Sequence, residues 1–289
     1  MAEADIPVDL FNPGQVFACL GFLEAANILL GDAEGGFDWS DESNVRFRLR
    51  TADAENPFRT TILFLANAKV SSITPKCSEL RTEKWNIPSI IQDYNYHFSY
   101  NKPNSPATLP AVLQDENGRM LIIDHWGDST TRDSVKFWAG SGGYPGVALL
   151  NDAIQSLNGD FDEISRNPFI FTTKQSSSFR FDWRRDYIPL DCGFSPNSHN
   201  NMTMIGYPIV EILASIGLTN SRPERIDKLN YRYSALGIFS DSIFFDKIFL
   251  RAGLGGANLP FEKRCFRMRL GWPGQINQAR CIIETYEES

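Results

Sequence analysis

Apolar residues return at helical spacing most clearly between Asp9 and Gly31, in DLFNPGQVFACLGFLEAANILLG. Val16, Phe17, Leu20, Leu23 and then Asn27 or Ile28 share one side, and Ala18, Ala25 and Ala26 allow close approach. Asn12 suits the N-cap, Pro13 the first helical position, and Gly31 a left-handed stop. The wide stripe predicts a helix that packs across a sheet. A second helix opens at Pro145 and runs through Val147, Leu149, Leu150, Ile154 and Leu157; a third runs from Pro208 to Ile216.

Elsewhere the period is two. Val45–Arg50 alternates strictly, with Val45, Phe47 and Leu49 on one face and Arg46, Arg48 and Arg50 on the other. Thr60–Ala66 reads as a more buried strand. Leu109–Leu113 and Arg119–Trp126 flank Asn117-Gly118, a hairpin signal. Further strands are predicted near Tyr94–Tyr100, Asp133–Trp138, Phe169–Thr173, Ser178–Trp183, Tyr231–Phe239, Ile243–Leu250, Cys265–Gly271 and Ala279–Tyr286. Helices interrupt the strands rather than alternating with them. The fold class expected is therefore α+β, with mainly antiparallel sheets and a few packed amphipathic helices. Phe17-Ala-Cys-Leu-Gly-Phe22 echoes Leu213-Ala-Ser-Ile-Gly-Leu218. The echo raises the option of two related ferredoxin- or RRM-like halves. The chain reads either as one unit or as two lobes, 1–165 and 166–289.

Composition narrows the class. The chain has 289 residues, 42% hydrophobic and 12% aromatic, enough for a sizeable core. No apolar run is expected to reach membrane-spanning length, and the start lacks the cations of a signal peptide. The five cysteines are widely spaced, without a CxxC pair, which favours a reducing cytoplasm. The formal charge of −7 is unevenly spread. Residues 1–45 hold nine acids and no Lys or Arg, and the last six residues add three acids. Setting these 12 aside leaves 23 acids against 28 Lys and Arg, so residues 46–283 carry about +5.

Catalytic signals are sparse. No P-loop is present, Gly253–Asn258 lacks the last glycine of a dinucleotide fingerprint, and Ala139 spoils a nucleophile elbow at Ser141. The three histidines, His97, His125 and His199, lack partners at metal-ligand spacing. No catalytic residue, metal site or cofactor is expected. Asp124-His125 reads as the end of a strand.

Arginine beside aromatic residues is the stronger signal. Phe179, Phe181 and Trp183 alternate with Arg180 and Asp182, and Arg184 and Arg185 follow. Arg267 and Arg269 repeat the design, as do Arg46 and Arg48. Lys136 stands beside Phe137 and Trp138 before a Gly-rich turn. Guanidinium groups grip phosphate with two hydrogen bonds and stack on bases, so exposed rows of this kind suit nucleic acid. The other reading is the solvent side of an antiparallel sheet, with Arg paired to acids.

The opening DLFNPGQVFACLGFLEAANILLGDAEGGFDWS resembles that of a Cas-eight-like effector subunit of type I-G (formerly I-U) CRISPR systems. Val135–Gly140, Phe179–Asn197 and Tyr207–Pro223 carry further likeness. The resemblance implies a non-catalytic protein of a guide-RNA-bearing complex that engages target DNA in antiviral defence. Its partners would be other type I-G subunits, guide RNA and target DNA, with no membrane. The contacts would fall on Arg46, Arg48, Lys136, Arg180, Arg184, Arg185, Arg267 and Arg269. A scaffold or regulatory subunit that touches only protein is the alternative.

Overall fold

In a computed structural model of the chain, the residues described are 1–76, 78–92, 109–127, 145–175, 178–185, 204–238, 244–272 and 280–288. The expected strands at Tyr94–Tyr100 and Asp133–Trp138 lie outside them, as do Lys136, His97 and His199.

The first elements are β1 (Ala2–Pro7), α1 (Pro13–Leu30), β2 (Glu34–Asp38), β3 (Arg46–Thr51), α2 (Pro57–Asn67) and β4 (Lys69–Pro75). Next come β5 (Ser89–Gln92), β6 (Ala111–Gln114), β7 (Met120–Ile123), α3 (Gly146–Gln155) and α4 (Phe161–Arg166). The remainder is β8 (Thr173–Gln175), β9 (Met204–Gly206), α5 (Pro208–Asn220), β10 (Glu224–Arg225), β11 (Asn230–Leu236), β12 (Phe245–Asp246), α6 (Lys247–Leu254), β13 (Lys263–Gly271) and β14 (Cys281–Glu288). The strands form sheets ordered β1-β3-β2-β12, β10-β11-β13-β14 and β5-β4-β6-β7, with β8 and β9 as a separate pair. Apart from β4 with β5, neighbouring strands within these sheets are antiparallel. The fold is α+β, as the pattern predicts.

Helix α1 begins as its sequence dictates. The Asn12 side chain accepts from Gly14 N, Pro13 follows, and Gly31 ends the helix at φ +73°. Pro13 through Ala26 are all buried. At 18 residues α1 has the length and apolarity of a membrane-crossing helix, so the expectation about apolar runs needs amending; 78% of it, however, is buried inside the protein. Its main partner is the helix α5 rather than a sheet. The echo between the two helices marks their crossing. A side chain at Gly21 would run into the Leu213 carbonyl, and one at Gly217 into the Phe17 carbonyl. Each helix places its glycine where the other's backbone passes, which is what lets the two helices pack at close range. Gly217 therefore lies inside α5 rather than ending it.

Four predicted strands are corrected. Thr60–Ala66 belongs to helix α2, because Asn56 caps the amides of Phe58 and Arg59, Pro57 follows, and Phe58, Ile62 and Leu65 fall on one buried face. Of Ile243–Leu250, Phe245–Asp246 is the short strand β12, but the second half belongs to α6, capped by Asp246 on Ile248 N with Leu250 and Leu254 turned inward. Both caps outweigh the β-branched content that suggested strands. Phe169 lies in a single 3-10 turn, Pro168–Ile170, and β8 starts only at Thr173. Ser178–Trp183 is an irregular segment, for reasons given below.

Candidate functional site

The Arg rows on β3 and β13 meet acids supplied by neighbouring strands. On β3, Arg46 Nε donates to Asp5 at 2.6 Å, Arg48 Nη2 to Glu3 at 2.5 Å and Arg50 Nη2 to Glu34 at 2.5 Å. Arg48 also faces Asp38 at 3.5 Å, and Arg48 and Arg50 lie over the Phe244 ring. The β13 row is built alike. Arg267 pairs with Glu288 at 2.5 Å and Arg269 with Glu284 at 3.2 Å. Beside them, Arg264 forms a two-pronged pair with Glu287, and Arg232 another contact pair with Glu224 and Glu288.

Register makes this unavoidable. Strand β1 lies against β3 with Asp5 opposite Arg48 and Glu3 opposite Arg50, while β14 lies against β13 with Glu284 opposite Arg269. Opposite charges directly or diagonally across a ladder attract. Of the 12 acids in the terminal segments, eight (Glu3, Asp5, Glu24, Glu34, Asp38, Glu284, Glu287 and Glu288) meet arginines of the middle. The acidic ends and basic body of the sequence are stitched together in space.

The segment Phe179–Arg185 departs from the predicted strand and becomes a buried junction. Phe179 and Phe181 stack at 5.5 Å between ring centres, and Trp126 stacks on Phe179 at 5.7 Å. His125 closes this cluster against Trp126 and Phe181, buried among rings. Arg180, between the two phenylalanines, takes a left-handed φ of +69°. Asp182 then points inward, not outward as alternation requires, and is 2% exposed, while Trp183 points out at 39%.

Polar partners explain the inversion. The Asp182 carboxylate accepts from Asn12 Nδ2 at 3.0 Å, and from Arg184 Nε at 3.0 Å and Nη2 at 2.6 Å. Arg184 also donates to the Phe169 carbonyl and lies over the Tyr207 ring at 3.9 Å. Arg184 was expected among exposed phosphate ligands; its guanidinium is instead committed to a buried carboxylate. The two oxygens of Glu211 accept the backbone amides of Phe181 and Asp182 at 3.2 and 3.1 Å. A side chain at Gly14 would press on the Phe181 carbonyl, so the first turn of α1 rests directly on this segment. The junction thus binds the N-terminal ends of α1 and α5 to one stretch of backbone.

Glu211 is titratable in an unusual range. Burial raises its pKa from 4.5 to about 7, aided by the charge of Asp182 and opposed by the two amides and by Arg185. Arg185 reaches Met204 Sδ at 3.7 Å. Burial pushes the Cys281 thiol up, and the charges of Arg180 and Arg185 both pull it back.

The predicted residues therefore separate into three places. Arg46 and Arg48 lie on one sheet, Arg267 and Arg269 on another, and Arg180, Arg184 and Arg185 at the junction. Glu211, Asn12 and the outward Trp183 are the residues that alternation alone does not find. A charged residue inside the apolar run Pro208–Ile216 is the available signal for Glu211. Among the described residues no group of three His, Cys, Asp or Glu is gathered to hold a metal ion. The fold and site define a class, an α+β protein with arginine-rich sheets and a buried ionic junction at Phe179–Arg185. Comparison with protein-family models, curated proteins and solved structures returned no match.

Proposed function

We propose that the chain is a non-catalytic subunit of a type I-G CRISPR RNA-guided effector complex, acting in the cytoplasm by binding nucleic acid. Other subunits of the complex, guide RNA and target DNA would be its partners, and the reading calls for no cofactor. The sequence resemblance over Asp9–Ser40, Val135–Gly140, Phe179–Asn197 and Tyr207–Pro223 supplies the family. One observation carries the mode of action: three arginines and an outward tryptophan fall within six residues, on a segment held rigid from below. In the sheet rows, as at Arg184, a phosphate must first displace a carboxylate already in contact. Arg46, Arg48, Arg267 and Arg269 then serve mainly to join strands, and Lys136 stays a candidate from sequence.

The protein-only scaffold reading draws on the same ion pairs, since they leave the sheet faces close to neutral. Co-purification from cells expressing the neighbouring subunits, with and without guide RNA, separates the two. The effector reading expects guide-dependent recovery and a nucleic-acid affinity that falls steeply with salt. Recovery with subunits alone, and no nucleic-acid affinity at any salt, would favour the scaffold.

A further inference from the structure

We propose that Asn158 is a site of spontaneous deamidation, where the Gly159 backbone nitrogen closes on the side chain and converts it to aspartate and isoaspartate. The inference stands apart from the nucleic-acid reading above.

Asn-Gly occurs twice in the chain, at Asn117-Gly118 and Asn158-Gly159. The pair is reactive because glycine has no side chain to crowd its nitrogen or restrict its backbone. In the reaction the glycine nitrogen bonds to the asparagine Cγ, its proton passing through water to the departing nitrogen. The Cγ–Nδ2 bond breaks, ammonia leaves, and a five-membered succinimide ring is closed. Water then adds to one of the two ring carbonyls and opens the ring. One opening gives aspartate; the other gives isoaspartate, in which the backbone runs through the former side chain. Water is the co-reactant, no electrons are exchanged, and loss of ammonia makes the change one-way.

All four residues of the two pairs are exposed, so access to water does not separate them. What separates them is the hold on the attacking nitrogen. Asn117-Gly118 forms the turn between β6 and β7, where the Gly118 amide donates to the Asp115 carbonyl at 3.2 Å. The Asp115 carboxylate accepts the amides of Asn117 and Arg119 at 3.0 and 2.9 Å, and Arg119 Nε at 2.7 Å. Asp115 is itself buried, so the turn is fixed from beneath. The turn has to unlock before the Gly118 nitrogen can attack.

Asn158-Gly159 lies in the connection from α3 to α4. Among the described residues the Gly159 amide has no acceptor. Gly159 stands at φ +119°, and the nearest atom to a Cβ built there is the tip of Ile164, at 3.5 Å. The Asn158 side chain is tied by one exposed bond, from Nδ2 to the Ser156 carbonyl at 3.2 Å, which water can replace. The cap of α4 starts beyond the pair, with Asp160 accepting the amides of Asp162 and Glu163 at 2.9 and 3.3 Å. Ring closure at Asn158 therefore leaves the hydrogen bonds of both helices in place. The product adds a carboxylate beside Asp160, Asp162 and Glu163.

The test is peptide mapping by mass spectrometry of the full chain aged in mildly alkaline buffer, with isoaspartyl groups counted by enzymatic carboxyl methylation. Short peptides spanning each pair give the rates without a fold to shield the nitrogen. Asn158 should convert at close to its peptide rate. Asn117 should lag its own peptide by about 10-fold or more, since each hydrogen bond that has to open slows the reaction by about 2- to 13-fold. Asn158→Gln should remove the isoaspartyl signal at that position, because the longer side chain closes a larger ring more slowly. Asn117 keeping pace with Asn158, or an intact Asn158 in the folded chain while its peptide converts, would overturn the assignment.

Discussion

Arg46 and Arg184 each reach a carboxylate, yet the two pairs stand in different physical regimes. The Arg46 and Asp5 side chains are 32% and 46% exposed, out on the open face of a sheet. Arg184 is similar at 30%, but its acceptor Asp182 is at 0%. In water, attraction between charges is weak, salt screens it, and ordering two long side chains offsets most of the gain. A carboxylate withdrawn from water has no such fallback, and its partners become obligatory. The same Arg–aromatic pattern in sequence thus yields a replaceable ladder on β3 and β13 and an obligatory knot at Phe179–Arg185. Burial of the acid, not the number of arginines, separates them.

The largest effect should come from cutting the knot. Arg184→Ala leaves Asp182 buried with Asn12 as its remaining side-chain donor and should cost about 3–5 kcal/mol, the usual loss when one side of a buried pair is removed. Thermal unfolding would report it as a fall of many degrees, and a loss below about 1 kcal/mol would place Arg184 with the ladders. The surface role first expected for this residue would then return.

Glu211 gives the next effect, and its sign is definite. Its pKa is about 7 in the folded protein against the ordinary 4.5, so between those values the folded state holds more protons than the unfolded one. Its contribution is complete below pH 4.5 and is lost as pH rises to about 7, by about 3 kcal/mol. Melting curves of the wild type and Glu211→Gln across that window test this. The variant gives up one amide contact at every pH but should lose the slope. Parallel curves would show that Glu211 does not titrate there.

The ladders should answer weakly. Arg46→Ala or Arg269→Ala should each cost about 0.2–1 kcal/mol in a chemical-denaturation titration, shrinking further at high salt. A loss above about 2 kcal/mol at either site would erase the contrast with the knot.

Legibility in the sequence follows the same divide. Helix α1, its cap and its glycine stop are readable because local signals agree with the packing. The β3 and β13 rows are readable because alternation alone fixes which side faces out. The helices α2 and α6 are misread as strands because Thr60, Thr61 and Ile62 in one and Ile248 and Phe249 in the other favour β structure, while the decisive caps, Asn56 and Asp246, are single residues. The junction is beyond local reading altogether. Asp182 turns inward for the sake of Asn12, 170 positions away, and of the Glu211 amide contacts, 29 and 30 positions away. Alternation has no access to partners at that range.

The salt dependence of nucleic-acid affinity tests the division of labour most directly. The logarithm of affinity against the logarithm of salt would be measured for the wild type, for Arg180→Ala/Arg185→Ala, and for Arg46→Ala/Arg48→Ala/Arg267→Ala/Arg269→Ala. Each phosphate-contacting cation lost should reduce the slope by about 1. The junction variant should therefore lose about 2 and the ladder variant almost nothing. A ladder variant that flattens the slope while the junction variant matches the wild type would contradict the account.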